Sequence, residues 1–272
     1  MRGFLFGPYQ TMGSFSIFFE KESIIFMGYE YSMIDFSLSK KFAFNYQTAR
    51  PYPHIVIDDF IQESLLSKSM DEMNKYEYFG WDGTAYSAEH QVNKFFTPWC
   101  ENNIQDIIHH APATYRLMTF FNSVEFIGFI EELSGIKNLL PDNTYFGGAV
   151  HKLTKGGKLD IHADYTLHPI HKTYRRLTML IYLNKNWDKS WGSDLELWER
   201  DMSKCSKKIK PIFNRMVLFN VVDNTFHGHP YPLNCPNDVN RLSYSICFFT
   251  KEKPENYTQD HLGAYWQEIP KK

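Results

Sequence analysis

Two short stretches of this chain gather side chains that can hold a metal. "GGKLDIHADYTLHP", residues 156–169, runs from an apolar stretch into His162-Ala163-Asp164. In a strand, residues i and i+2 face the same way. His162 and Asp164 therefore point at one spot if the strand reaches that far. Alone the triplet is a weak signal, since ordinary surface polarity produces it too. "DNTFHGHP", residues 223–230, is the second stretch and follows an apolar segment ending near Val222. His227 and His229 flank Gly228, whose lack of a side chain lets another backbone approach closely. The plain alternative, loop histidines with hydrogen-bonded rings, stays open at this point.

Two imidazoles and one carboxylate on neighbouring strands make a facial triad with open coordination positions, the arrangement of non-haem Fe(II) oxygenases. Zinc more often takes a fourth protein ligand or three nitrogens. "NRLSYSICFFT", residues 240–250, adds a third element. Arg241, Ser243 and Ser245 share one face by period two, while Leu242, Tyr244, Ile246 and Phe248 make an apolar face. A guanidinium offers a bidentate fork to a carboxylate, and in-line hydroxyls add donors, so this face can hold a dicarboxylate inside a barrel. Tyr182, on the polar-facing side of its own strand, can add a phenol. Without the histidines, Arg241 reads equally well as half of a surface ion pair. Asp160, His168 and His171 read as loop or rim polarity.

These residues need strands to carry them. "RLTMLIYLN" alternates Leu177, Met179, Ile181 and Leu183 against Thr178, Leu180 and Tyr182. "SDLELWE" and "NRMVLFNVV" are further strands. Short strands separated by turn residues, with no helical stretch between them, predict an antiparallel sandwich or barrel from about 144 to 252. Helices precede it. "RPYPHIVIDDFI" predicts a strand at Ile55–Ile57, then a helix at about 59–76 with Asp58 or Asp59 as its N-cap. A short helix is placed near 101–110. "NSVEFIGFIEELSG" predicts a helix at 122–135, with Asn122 and Glu125 at capping-box spacing and Gly135 as the C-cap. The expected fold is thus mainly β with flanking α, N-terminal helices packed on the β-core.

The chain has 272 residues, 43% of them apolar and 22% charged, with a formal net charge of −2. That is one soluble globular domain without the basic footprint of a nucleic-acid binder. The short stretch Lys204–Lys208 is expected to be a solvated loop. Cys100, Cys205, Cys235 and Cys247 lie far apart with no CxxC pair. With no convincing secretion signal, reduced thiols and a cytoplasmic location are expected, and no membrane association. The first 32 residues are aromatic and patternless. One reading puts the natural start at Met33, making 1–32 a leader or irregular extension and 33–272 the single domain. An intact mass of native protein beginning at Met1 would overturn it.

At this point the sequence resembles the 2-oxoglutarate- and Fe(II)-dependent oxygenases, in their prolyl-4-hydroxylase-like branch. "PYPHIVIDDFI", "GGKLDIHAD", "RRLTMLIYLNKNW", "LELWE", "KPIFNRMVLFNVVDNTFHGHP" and "NRLSYSICFFT" follow in that family's order across about residues 50–255. The resemblance implies a double-stranded β-helix (jelly-roll, cupin-like) core. It implies His162, Asp164 and His227 as iron ligands, with His229 the runner-up. It implies that Arg241 binds the distal carboxylate of 2-oxoglutarate, helped by Tyr182 and Ser243. The implied reaction consumes O2 and 2-oxoglutarate, releases succinate and CO2, and hydroxylates a substrate; ascorbate is a candidate reductant. The branch implies a prolyl residue of a protein or peptide, with a small molecule as the alternative. The departures are Gly192-Ser193, where the family commonly has two glycines, and His151-Lys152-Leu153, where it often has an aromatic residue lining the cosubstrate pocket. Two other readings compete: a cupin-like metal enzyme that does not use 2-oxoglutarate, and a non-catalytic β-sandwich binding module. Substrate-reading loops are expected at roughly 77–100 and 165–175, with Trp81, Tyr86 and Trp99 as groove candidates. Oligomeric state is not encoded legibly.

Overall fold

Helical periods fall in the first half of the chain and alternating ones in the second, and the computed structural model builds accordingly. It describes residues 32–75, 89–96, 101–146, 148–255 and 257–270. In chain order the elements are α1 (Leu38–Thr48), β1 (His54–Ile57), α2 (Glu63–Lys75), β2 (Gln91–Phe96), α3 (Glu101–His110), α4 (Pro112–Phe121) and α5 (Val124–Ser134). Then come β3 (Ala149–Ala163), β4 (Tyr174–Tyr182), β5 (Leu195–Trp198), β6 (Cys205–Ile209), β7 (Met216–Asn220), β8 (His227–His229), β9 (Arg241–Thr250) and β10 (Tyr265–Trp266). The expectations for the N-terminal extension and for Trp81, Tyr86 and Trp99 lie outside the described residues.

The strands form one curled antiparallel sheet in the order β1-β7-β4-β9-β3-β8-β5-β6, with β2 and β10 also on β3. This is the expected jelly roll. Strand β3, 15 residues long, carries the chain from one layer to the other. Its first half pairs with β9, from Ala149↔Ser245 to Leu153↔Arg241. Its second half pairs with β8, at Leu159↔His229 and His162↔His227. Gly156 and Gly157 lie between the halves; Gly156 has φ +75°, and a Cβ on Gly157 would meet the Leu153 side chain at 2.6 Å.

One face of the sheet is covered by the helices. Leu177, Met179 and Ile181 of β4 and Leu242, Tyr244, Ile246 and Phe248 of β9 pack with Leu66, Leu117, Phe121, Phe126, Phe129 and Ile130. Phe126 sits at the centre, with ring centroids 5.3 Å from Phe121, 5.8 Å from Phe129 and 6.2 Å from Phe248. Such pairs contribute about 0.5–1.5 kcal/mol each beyond burial. The Tyr244 hydroxyl bonds to Ser69, and Ser69 to Thr114 at 2.9 Å, so α2, α4 and β9 are tied without an unsatisfied polar group. The alternate residues Thr178, Leu180, Ser243 and Ser245 line a cavity on the opposite face.

Several local expectations differ from the structure. Helix α2 starts at Glu63 rather than near 59. Asp58 is taken by Arg215, whose Nε and Nη2 donate to its two oxygens at 2.6 and 2.8 Å, and Asp59 has φ 53°. Helix α5 is capped by Ser123, whose hydroxyl accepts from the Phe126 N–H at 3.2 Å, not by Asn122; Gly135 closes it in the left-handed conformation as expected. Cys205–Ile209 is an edge strand, not a loop, and Lys208 pairs with Glu196 at 2.6 Å. Helices α1 and α4 carried no expectation. For α4 the start signal was present, Pro112 at the first helical turn.

Candidate active site

The end of β3 and the short β8 bring His162, Asp164 and His227 to one point, with all three ligand atoms within 4.8 Å of one another. His162 and His227 are register partners across the two strands, and Asp164 follows one residue past the end of β3. The close approach depends on Gly228, where a Cβ would lie 2.7 Å from the Asp160 carbonyl oxygen and 2.8 Å from that of Leu159.

The ring orientations are set by the backbone. His162 Nδ1 meets the Asp160 carbonyl at 2.9 Å, and His227 Nδ1 meets the Thr225 carbonyl at 3.0 Å. A carbonyl only accepts, so each Nδ1 carries the proton and each Nε2 keeps its lone pair. Those Nε2 atoms face the carboxylate, His162 to Oδ1 and His227 to Oδ2, both at 3.6 Å. Two donors each about 2.1 Å from one ion stand roughly 3.0–3.6 Å apart. This donor set, two neutral imidazoles and one carboxylate with the cavity beside them, fits a divalent iron.

Arg175 was not singled out from the sequence. It is 3% exposed, and its Nη2 donates to Asp164 Oδ2 at 2.9 Å and to the Thr178 hydroxyl at 2.8 Å. Thr178 in turn donates to the same Asp164 oxygen at 2.9 Å. Burial alone would raise the Asp164 carboxyl; Arg175, His227 and His162 outweigh it and hold it well below the usual carboxylate range. Burial pushes His227 down to about 4, against the pull of Asp164. Asp164 and His227 therefore stand ready as an anion and a neutral ring.

A cavity of ≈ 200 Å³ opens beside these atoms. Arg241 lines it and is 5% exposed; its Nε donates to the Ser193 carbonyl at 3.2 Å and its Nη2 to the Tyr182 hydroxyl at 3.4 Å. Its guanidinium also lies over the Tyr182 ring, 4.9 Å from the centroid. Tyr182 is fully buried beneath Arg241, while Ser243 lies on the cavity wall. Both Arg241 partners are neutral oxygens, which leaves the cation suited to a carboxylate arriving from the cavity. Ser193 takes φ 56° in the turn where two glycines were expected, so the departure from the family pattern touches the arginine directly.

His151 also lines the cavity; burial, then Lys94, push its pKa well below the ordinary value, so it is a neutral wall residue. His229, the runner-up ligand, is buried on the same wall with its Nδ1 unpartnered, outside the three-residue cluster. Lys94 of β2 and Trp266 of β10 complete the walls; neither was anticipated. The Trp266 ring lies 5.0 Å from that of His162. Burial lowers the Lys94 ammonium to about 8, with Asp164 opposing and Arg241 and Arg175 adding to the shift.

A second cluster, Asp142, His168 and His171, also has metal-ligand spacing. Its donors are already used. His168 Nδ1 accepts from the backbone N–H groups of Ile170 and His171 at 3.2 and 3.1 Å, so its proton sits on Nε2 toward Asp142. Asp142 accepts from the N–H groups of Thr144 and Phe146, both at 2.9 Å. His168 is fully buried and ties a loop together, in keeping with its reading as loop polarity and not with a place on the rim.

Residues 148–249 match the 2OG-Fe(II) oxygenase superfamily. Among solved structures, a prolyl hydroxylase of Trichoplax adhaerens in complex with a hypoxia-inducible-factor oxygen-degradation-domain peptide fragment is 19% identical, covering 85% of this chain and 94% of that one, with a TM-score of 0.56. A prolyl-4-hydroxylase of Pseudomonas putida is 13% identical over 79% of this chain and 100% of that one, TM-score 0.52. HygX of Streptomyces hygroscopicus, with nickel, 2-oxoglutarate and hygromycin B bound, is 13% identical over 85% and 97%, TM-score 0.51. No curated protein matches the chain. The matched segment is the one that carries the histidine–aspartate cluster and Arg241, so residues 148–249 are similar to the 2OG-Fe(II) oxygenase superfamily and the chain shares the fold of the prolyl hydroxylases.

Proposed function

We propose that this chain is a 2-oxoglutarate- and Fe(II)-dependent dioxygenase that hydroxylates a prolyl residue of a protein or peptide, holding Fe(II) with His162, Asp164 and His227. The distal carboxylate of 2-oxoglutarate is assigned to Arg241, which Tyr182 positions from below and Ser243 assists from the wall. The observation that carries this reading is the pair of backbone-locked imidazoles, whose free Nε2 atoms meet one carboxylate at 3.6 Å inside the cavity that Arg241 lines. When bound, iron and 2-oxoglutarate supply the oxidation: one oxygen atom of O2 goes to succinate, the other into a substrate C–H bond, and CO2 leaves. The protein's own part is to hold Asp164 anionic through Arg175, lock both imidazoles through backbone carbonyls, keep the His227 ring neutral, and orient the cosubstrate through Arg241.

The fold shared with prolyl hydroxylases supports the prolyl substrate, and one of those enzymes is seen with a peptide. A small-molecule substrate is the second reading, supported by HygX with hygromycin B bound. Residues 33–272 are taken as one catalytic unit, in keeping with a core that runs from Ile34 to Phe248. A cytoplasmic location is in keeping with free thiols at Cys205, Cys235 and Cys247. No helix among the described residues is long and apolar enough to cross a membrane.

The test is succinate formation by anaerobically iron-loaded protein on admitting oxygen, with and without proline-containing peptides. Iron-dependent turnover that vanishes in Asp164→Ala and rises with a peptide supports the proposal. Tight iron binding with no succinate under any condition would favour the cupin-like alternative. No iron binding at all would favour a binding module.

A further inference from the structure

The cavity is more positive than its cofactors require. Four cationic side chains line it, Lys94, Lys152, Arg175 and Arg241, against one carboxylate, Asp164. Arg175 is paired with Asp164. Arg241 is the counter-charge for 2-oxoglutarate in the reading above. The Lys152 ammonium lies over the Phe95 ring, 5.6 Å from its centroid. Lys94 has no such assignment. It makes no hydrogen bond or ion pair with any described residue, yet it is part-buried on the cavity wall.

The register says how Lys94 gets there. Lys94 pairs with Leu153, and Leu153 with Arg241, so the three stand in one row across β2, β3 and β9. Directly opposed residues on neighbouring strands project to the same face. Strands are about 4.8 Å apart, so the Cα atoms of Lys94 and Arg241 stand roughly 10 Å apart, on opposite flanks of β3. A 2-oxoglutarate with one carboxylate on Arg241 and its keto-acid end at the metal has no third anionic group for Lys94. Iron, Lys94, Arg175 and Arg241 bring five positive charges, and Asp164 with 2-oxoglutarate brings three negative ones. A part-buried ammonium beside one carboxylate, Asp164, that Arg175 already engages is under-compensated, and the balancing anion arrives with whatever enters last.

We infer that the substrate carries a carboxylate beside the carbon that is hydroxylated, and that Lys94 receives it. The inference rests on the oxygenase reading of this cavity and deepens it: the substrate class is acidic. The carboxylate has two sources, the α-carboxylate of a free amino acid or an acidic side chain next to a prolyl residue in a peptide. The chemistry Lys94 recognises is the same in both.

The experiment is calorimetric binding to the full chain loaded with Fe(II) and 2-oxoglutarate under argon, where no turnover occurs. Three probe pairs differ by one negative charge: L-proline against L-prolinamide, Ac-Ala-Pro-Asp-NH2 against Ac-Ala-Pro-Asn-NH2, and Ac-Asp-Pro-Ala-NH2 against Ac-Asn-Pro-Ala-NH2. At least one acidic probe is expected to bind ten-fold or more tightly than its neutral partner, and the pair that does so names the source. That preference is expected to fall below three-fold in Lys94→Met and Lys94→Gln, and to persist in Lys94→Arg. Equal binding within every pair, or no binding by any acidic probe, overturns the inference on the native chain alone, even if both neutral variants fail to fold. A preference that survives Lys94→Met also overturns it. So does a ten-fold loss of 2-oxoglutarate affinity in that variant, which would assign Lys94 to the cosubstrate. Iron-dependent succinate formation, measured separately, tells the two readings apart: turnover without acid preference sinks only this inference, and no turnover sinks the oxygenase reading itself.

Discussion

Replacing Asp164 by asparagine should unfold this protein more easily before it costs any chemistry. The carboxylate and Arg175 form a buried pair at 2.9 Å, with 13% and 4% of their side-chain surfaces exposed. Asparagine keeps the shape and a partner for Thr178, but leaves the guanidinium without a counter-charge. Breaking one side of a buried pair costs about 3–5 kcal/mol. For a domain of this size that is a Tm drop of roughly 6–20 °C. Arg175→Met alone should cost less, because Thr178 still donates to the carboxylate, whose side chain is the more exposed of the pair. The double variant Asp164→Asn/Arg175→Met removes both charges and should recover at least half of the single loss, a coupling of about 2 kcal/mol or more. The assay is urea unfolding of the four metal-free proteins at pH 7.5. That pH is chosen by sign. The folded Asp164 pKa is depressed, so its contribution is present above the ordinary carboxylate range and is lost only as pH falls through the lower folded value. Calorimetric iron binding should be absent from both Asp164→Asn proteins whatever their stability. A metal-free Asp164→Asn within about 1 kcal/mol of the native chain, or a coupling below about 0.5 kcal/mol, would refute the role given to Arg175.

Other perturbations follow from the same geometry. Arg241→Gln should raise the 2-oxoglutarate concentration for half-saturation at least 30-fold, since losing the partner of a buried carboxylate costs about 2–5 kcal/mol; an unchanged requirement would move that role elsewhere. Gly228→Ala would set a Cβ 2.7 Å from the Asp160 carbonyl, a backbone atom that cannot step aside. It should destabilise the fold by about 1–3 kcal/mol and weaken iron binding, read by thermal melts and Fe(II) titration. Ser193→Gly relieves a left-handed φ of 56° and removes a buried hydroxyl with no hydrogen bond, so it should stabilise by about 1 kcal/mol in a urea titration. Burial holds His227 at about 4, below the ordinary imidazole value of about 6.5, so the unfolded chain takes the proton first. Metal-free stability should be full above pH 6.5 and fall by about 3 kcal/mol as pH drops to 4, with a flat profile counting against a neutral buried ring.

Alternation made one wall of the cavity legible and hid the other. Where strands run regularly, period two places side chains correctly. Arg241, Ser243 and Ser245 face the cavity, and Leu242, Tyr244, Ile246 and Phe248 face the helices, as their spacing implies. His162 and Asp164 sit two apart and converge for the same reason. The cations that set the cavity's charge come in at irregular positions. In β4 the parity of Leu177, Met179 and Ile181 would put Arg176 in the cavity and Arg175 among the helices. A register shift between Arg175 and Leu177 inverts this. Arg175 therefore reaches Asp164, while Arg176 donates to the Thr250 hydroxyl at 3.2 Å. In β2 a shift between Val92 and Lys94, with Asn93 at φ 47°, lets Gln91 and Lys94 share the cavity wall three residues apart. In β3 a third shift does the same for Leu159 and His162. A bulge re-aims a side chain through one extra residue, and no local composition announces it. His162 and Asp164, two of the proposed ligands, belong to the part of the site that alternation can find, while the reaction class came from the resemblance to a known family. Lys94 belongs to the part that only strand pairing at a distance creates, and with it the charge of the substrate this cavity is built to take.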